Sequence, residues 1–85
     1  MATLKNSVYD LGLALGREAR RVGFSVIRIA KVTGATRQTV YNWLNGTRRV
    51  APYYRPRVTE LVTLLRTSEE VNEAWRRARK KWNVS

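Results

Sequence analysis

The chain contains no cysteine and no histidine. Those two absences remove disulfides, thiolate nucleophiles, imidazole bases and nearly every transition-metal site at once, and a cytosol-like compartment suits a chain without cysteine. Acidic residues are scarce too, six against seventeen Lys plus Arg. Asp10, Glu18, Glu60, Glu69, Glu70 and Glu73 are scattered, with no paired spacing suited to acid–base catalysis or metal binding. The expectation is a protein that is not an enzyme and has no cofactor, no metal and no evident small-molecule substrate. No apolar run approaches the ~18–20 residues that span a bilayer, and residues 1–15 carry neither a charged leader region nor a cleavage-like small-residue site. A cytoplasmic protein with no membrane partner is expected. There is no internal repeat, no low-complexity stretch and no strand-like alternation.

What remains is charge and helical pattern. Eighty-five residues with a formal charge of +11 make one small domain, able to bury roughly 60% of its unfolded surface but not a large internal active site. A persistent excess of positive charge works against compaction by self-repulsion, so it is read as a footprint for a polyanion, nucleic acid or an anionic membrane.

Along the chain, Ser7-Val-Tyr-Asp10 has the form of a helix start, and Val8, Leu11, Leu15 and Val22 follow at helical spacing, predicting a first helix over 7–22. Gly12 and Gly16 each weaken that helix by about 1 kcal/mol, and their four-residue spacing reads as a place where another backbone approaches closely. Gly23 closes it. Ser25 caps a short second helix, Val26 to Thr33, with Ile29 and Ala30 inward, and Gly34 ends it. Thr36 caps a third helix to about Leu44, which Asn45-Gly46 terminates. An ordered loop with Pro52 leads into a fourth helix with Pro56 in its first turn and Val58, Leu61, Val62 and Leu65 as its stripe. Thr67-Ser-Glu-Glu70 matches a capping box and predicts a fifth helix from about Ser68 to Trp82. The fold is expected to be all-α, a compact bundle of about five helices.

The third helix is the informative one. At 100° per residue, Arg37, Tyr41, Asn45, Gln38 and Asn42 fall within an arc of about 140°, with Val40, Trp43 and Leu44 centred nearly opposite. A helix that only covers a core does not need so many planar hydrogen-bonding groups on its outer face. Base edges in the DNA major groove do: Arg pairs bidentately with guanine, and Gln or Asn with adenine. Thr39 lies off the centre of the arc, within reach of a phosphate or a thymine methyl.

The stretch "SVIRIAKVTGATRQTVYNWLNG" resembles the helix-turn-helix of the phage Cro and repressor families and the wider XRE-type regulators. Ala30 and Gly34 stand where those families keep a small residue and a left-handed turn, and Val40 and Trp43 match the two apolar positions that seat the recognition helix. The flanking segments extend the likeness over roughly Leu11 to Leu65. The resemblance implies a lambda-repressor-like fold in which the second helix crosses the DNA backbone and the third enters the major groove. It places Arg37, Gln38, Tyr41 and Asn42 at base edges. Asn45 falls at the sugar–phosphate margin, Thr47, Arg48 and Arg49 in the backbone-contacting loop, and the helix start after Ser25 and the Thr36 hydroxyl against phosphate. Lys31 stands between a solvated face and a backbone contact, and Arg28 reads as solvated. The loop "RRVAPYYR" is longer than the families' short connection, and its Tyr53 and Tyr54 either touch sugar–phosphate or pack on the first helix.

Two units follow, a helix-turn-helix DNA-binding domain over 1–67 and a C-terminal basic, Trp-containing helix over 68–85. In the latter, Val71, Trp75, Ala78 and Trp82 form one apolar stripe that either closes the core of its own chain or pairs with a second copy in a homodimer. Membrane-surface binding by this helix is disfavoured by its narrow stripe and acidic start. The expected function is a sequence-specific double-stranded-DNA-binding regulator, a repressor of phage or bacterial type acting by operator occupancy in the host cytoplasm or nucleoid. The other reading is an architectural or DNA-processing module.

Overall fold

Four of the five described helices begin on a side-chain cap. The computed structural model describes residues 10–84, and five helices lie among them: α1 (Leu11–Val22), α2 (Val26–Thr33), α3 (Arg37–Leu44), α4 (Arg55–Arg66) and α5 (Val71–Trp82). The chain is all-α, and none of these helices is long and apolar enough to cross a membrane.

The α2 and α3 boundaries match the sequence expectation. Ser25 accepts a hydrogen bond from the Arg28 N–H (3.2 Å) and Thr36 from the Thr39 N–H (3.1 Å), each satisfying an amide that helix geometry leaves without a partner. Gly34 sits between them at φ 82°, a left-handed backbone that a side chain would strain. The start of α1 differs. Asp10, expected inside the helix, is itself the cap and accepts from the Leu13 N–H at 3.1 Å; Ser7 and Val8 lie outside the described residues.

The expected capping box at Thr67 is also corrected. The Thr67 hydroxyl donates to the Thr63 and Leu64 carbonyls, and that of Ser68 to the Leu64 carbonyl at 2.7 Å, so both close α4 rather than open α5. The cap moves three residues on, to Glu70, whose carboxylate accepts from the Glu73 N–H, while the Glu73 carboxylate accepts from the Glu69 N–H at 2.8 Å. Two neighbouring helices compete for the same hydroxyls, and the carbonyls ending α4, which the helix's own ladder leaves short of donors, take them.

Leu15, Ile29, Val40, Trp43, Val58, Leu61 and Leu65 make the centre of the core, drawn from the first four helices, with Phe24 and Leu64 joining them. α1 packs on α3 and α4, and α5 packs on α2 and α4. The α5 stripe is engaged within its own chain: Ala78 is fully buried, as is Ala74 beside it, and Val71, Trp75 and Trp82 are half-buried against the core. Trp75 meets Phe24 edge-on at 5.9 Å and carries the Arg28 guanidinium over its face at 5.1 Å, so Arg28 is not simply solvated. Arg57 lies over Trp82 at 5.3 Å and donates to the Val32 carbonyl at 2.7 Å, tying the ends of α2, α4 and α5 together.

Candidate nucleic-acid interface

α3 is held from behind. Val40 and Trp43 are 0% and 2% exposed, and α1 crosses so close that a Cβ on Gly12 would lie 2.5 Å from the Trp43 carbonyl oxygen. Four residues on, a Cβ on Gly16 would lie 3.5 Å from Leu44, ordinary contact. The backbone approach foreseen for the two glycines is thus real, tightest at Gly12, and its partner is the last turn of α3.

With that side fixed, the other side is presented outward. Arg37, Gln38 and Tyr41 are exposed, Tyr41 at 53%, and Thr39 and Asn42 sit half-buried at the edge. Gln38 Nε2 donates to Asn42 Oδ1 at 3.2 Å, one turn apart, which orders both amides on the same face. Thr36 directs its hydroxyl proton to Thr39 Oγ1 at 2.9 Å while capping the helix. Thr39 keeps its own hydroxyl proton to donate.

Beyond α3 the chain turns under local control. Asn45 Oδ1 accepts from the Thr47 N–H at 3.0 Å and from its hydroxyl, an Asx turn, and Gly46 follows at φ 78°. The Arg48 N–H donates to the Asn42 carbonyl at 3.1 Å and Val50 is buried, so the loop folds back along the helix. The result is a notch of about 420 Å³ lined by Thr39, Asn42, Trp43, Arg48, Arg49, Ala51 and Tyr54, none of them acidic. Four residues expected to touch DNA (Thr39, Asn42, Arg48 and Arg49) converge there, beside Gln38 and Arg37.

Ser25 and Lys31 are placed elsewhere: both are exposed, Ser25 at the N-terminus of α2 and Lys31 in its last turn, and neither lines the notch. The two tyrosines take different places. Tyr54 packs edge-on against Trp43 of α3 at 5.2 Å rather than on α1, and Tyr53 stands on Tyr54 at 5.0 Å, 85% exposed. Ala51 is the one lining residue with no sequence expectation attached to this site beside the core Trp43. Aromatic residues after a proline in a lengthened loop are the only sequence sign of the wall that Ala51 and Tyr54 form.

Among the described residues no carboxylate lines the notch, and five of the six have partners elsewhere. Glu18 pairs with Arg21 (3.0 Å) and Arg66 (3.8 Å), Glu60 with Lys81 (4.0 Å), and Asp10, Glu70 and Glu73 bond helix-end amides. No protein-family model, no curated protein and no solved structure matches this chain.

Proposed function

We propose that this protein binds double-stranded DNA sequence-specifically, seating α3 in the major groove, and regulates transcription as a Cro-like or XRE-like repressor does, by occupying an operator. The observation that carries the reading is the two-sidedness of α3: an apolar side with Val40 and Trp43 buried and Leu44 half-buried, and an outer side of guanidinium, amide and phenol groups next to a cationic notch. In this reading Arg37 meets guanine, Gln38 and Asn42 meet adenine, and Tyr41 stacks on a base or touches a thymine methyl. Thr39, Asn45, Thr47, Arg48 and Arg49 hold the backbone, with Ser25 and Lys31 on the flanking strand. Steric exclusion of polymerase is then the simplest mechanism.

Selection of bound sequences from a random duplex pool tests the proposal, with the expected result a defined site. A two-fold repeat in that site, with half-sites about 34 Å apart, would mark a homodimer. On the selected site, Gln38→Ala or Asn42→Ala should weaken binding by about 1–3 kcal/mol and relax base preference, whereas Arg48→Ala or Arg49→Ala should weaken all sequences alike and lower the salt slope by about one. Identical behaviour of the two kinds of variant in a salt series would remove the assignment. Binding indifferent to sequence, with strong bending seen by gel mobility, would replace it by the architectural or DNA-processing reading.

A further inference from the structure

We infer that the outer face of α5 is a second, sequence-independent binding surface for a duplex backbone, so that one chain holds two duplex segments. The inference deepens the reading of α3 and rests on it for the first duplex.

α5 ends in five cations, Arg76, Arg77, Arg79, Lys80 and Lys81. The helix dipole puts only about half a negative charge at that end, and two of the five have internal work. Arg77 turns inward, donating to the Leu64 carbonyl (3.2 Å) and to Ser68 Oγ (2.8 Å). Lys81 lies 4.0 Å from Glu60 and over the Trp82 ring at 5.8 Å. Arg76, Arg79 and Lys80 remain, all exposed, and with Asn83 and Val84 they line a shallow concavity of about 310 Å³ with no acidic side chain among its described lining residues. Asn83 ends the helix at φ 53°, curling the chain around that concavity.

The occupant follows from what this face has and what it lacks. Asn72, Arg76, Arg79, Lys80 and Asn83 share one side of the helix, a row of cations and amides that suits the phosphates of a duplex backbone. A lipid surface would require an apolar face free to insert, whereas Val71, Ala74, Trp75, Ala78 and Trp82 are all turned to the chain's own core. α3 packs on α1 and α2, and α5 on α2 and α4, so α2 is the neighbour the two helices share; on this inference the duplex that α5 holds is a second one.

The test is capture of one duplex by another. A duplex that the chain binds is immobilised, protein is added, and a fluorescent duplex of unrelated sequence follows. The wild-type chain is expected to capture it. The triple variant R76A/R79A/K80A should capture at least about tenfold less, as expected for loss of about three phosphate contacts. It should bind the immobilised duplex within about threefold of wild type, because charges beyond a Debye length of ~8 Å are screened. That retained binding also verifies its fold, and R76K/R79K should keep capture. Equal capture by the triple variant, as self-association through another surface would give, overturns the inference, and so does a wild-type chain that captures no second duplex. A selection that yields no preferred sequence would count against α3 reading bases, and the capture comparison would still decide α5.

Discussion

Gly12 and Gly16 lie one turn apart on the same helix, and replacing each with alanine should move stability in opposite directions. At Gly12 the new Cβ would stand 2.5 Å from the Trp43 carbonyl oxygen and 3.0 Å from the carbonyl carbon and Cβ of the same residue. Those atoms belong to the backbone and root of the largest buried side chain in the core, so they do not yield, and α1 must lift away from α3. Overpacking of this kind costs about 1–3 kcal/mol, and the helix-propensity gain of up to ~1 kcal/mol is reduced by the position of Gly12 in the first turn. Net destabilisation should be about 1–2 kcal/mol, a fall in Tm of roughly 4–16 °C for a domain of this size. At Gly16 the nearest atoms are 3.5 Å away, in ordinary contact, so Gly16→Ala should stabilise by about 0.4–1 kcal/mol through helix propensity and a less free unfolded chain. Thermal and urea unfolding by circular dichroism measures both. Because the displaced element is α3, Gly12→Ala should also weaken duplex binding at temperatures where the variant is still folded. If Gly12→Ala unfolds at the wild-type midpoint, or if both substitutions shift it equally in one direction, the close seating of α1 on α3 is wrong.

Other perturbations probe the remaining contacts. Thr36→Ala removes the α3 cap and the anchor of Thr39, and should destabilise by about 1 kcal/mol in urea unfolding, while Thr36→Ser should restore most of the loss. Gly34→Ala meets no atom within 4 Å, so its only penalty is the left-handed backbone, about 1–2 kcal/mol; a neutral result would show that the turn relaxes. Trp75→Ala uncovers Phe24 and removes the ring under Arg28, a loss toward the lower end of the ~3–5 kcal/mol range for core aromatics because Trp75 is only half-buried. If removal of α5 left the midpoint unchanged, while sedimentation showed a dimer becoming a monomer, the within-chain role of its stripe would be refuted.

The boundaries of α2 and α3 and the outward face of α3 could be read directly from the sequence, because each rests on interactions within four residues: Ser25 with Arg28, Thr36 with Thr39, the 3.6-residue recurrence of Val40 and Trp43, and the left-handed preference of Gly34. Charge could be read for the same reason, since the signs add up whatever the fold. Where two partners compete, the sequence alone could not choose. Thr67 and Ser68 fit a helix start, yet the carbonyls ending α4 and the guanidinium of Arg77 claim them, and the cap falls to Glu70. The glycine pair announced a close approach without naming Trp43 as its partner. The stripe on α5 suited a second copy or its own core, and nothing local pointed Tyr54 to the third helix. Each of these was decided by which surfaces meet when five helices close on one core, a matter of distances between residues far apart in the chain that no local pattern encodes.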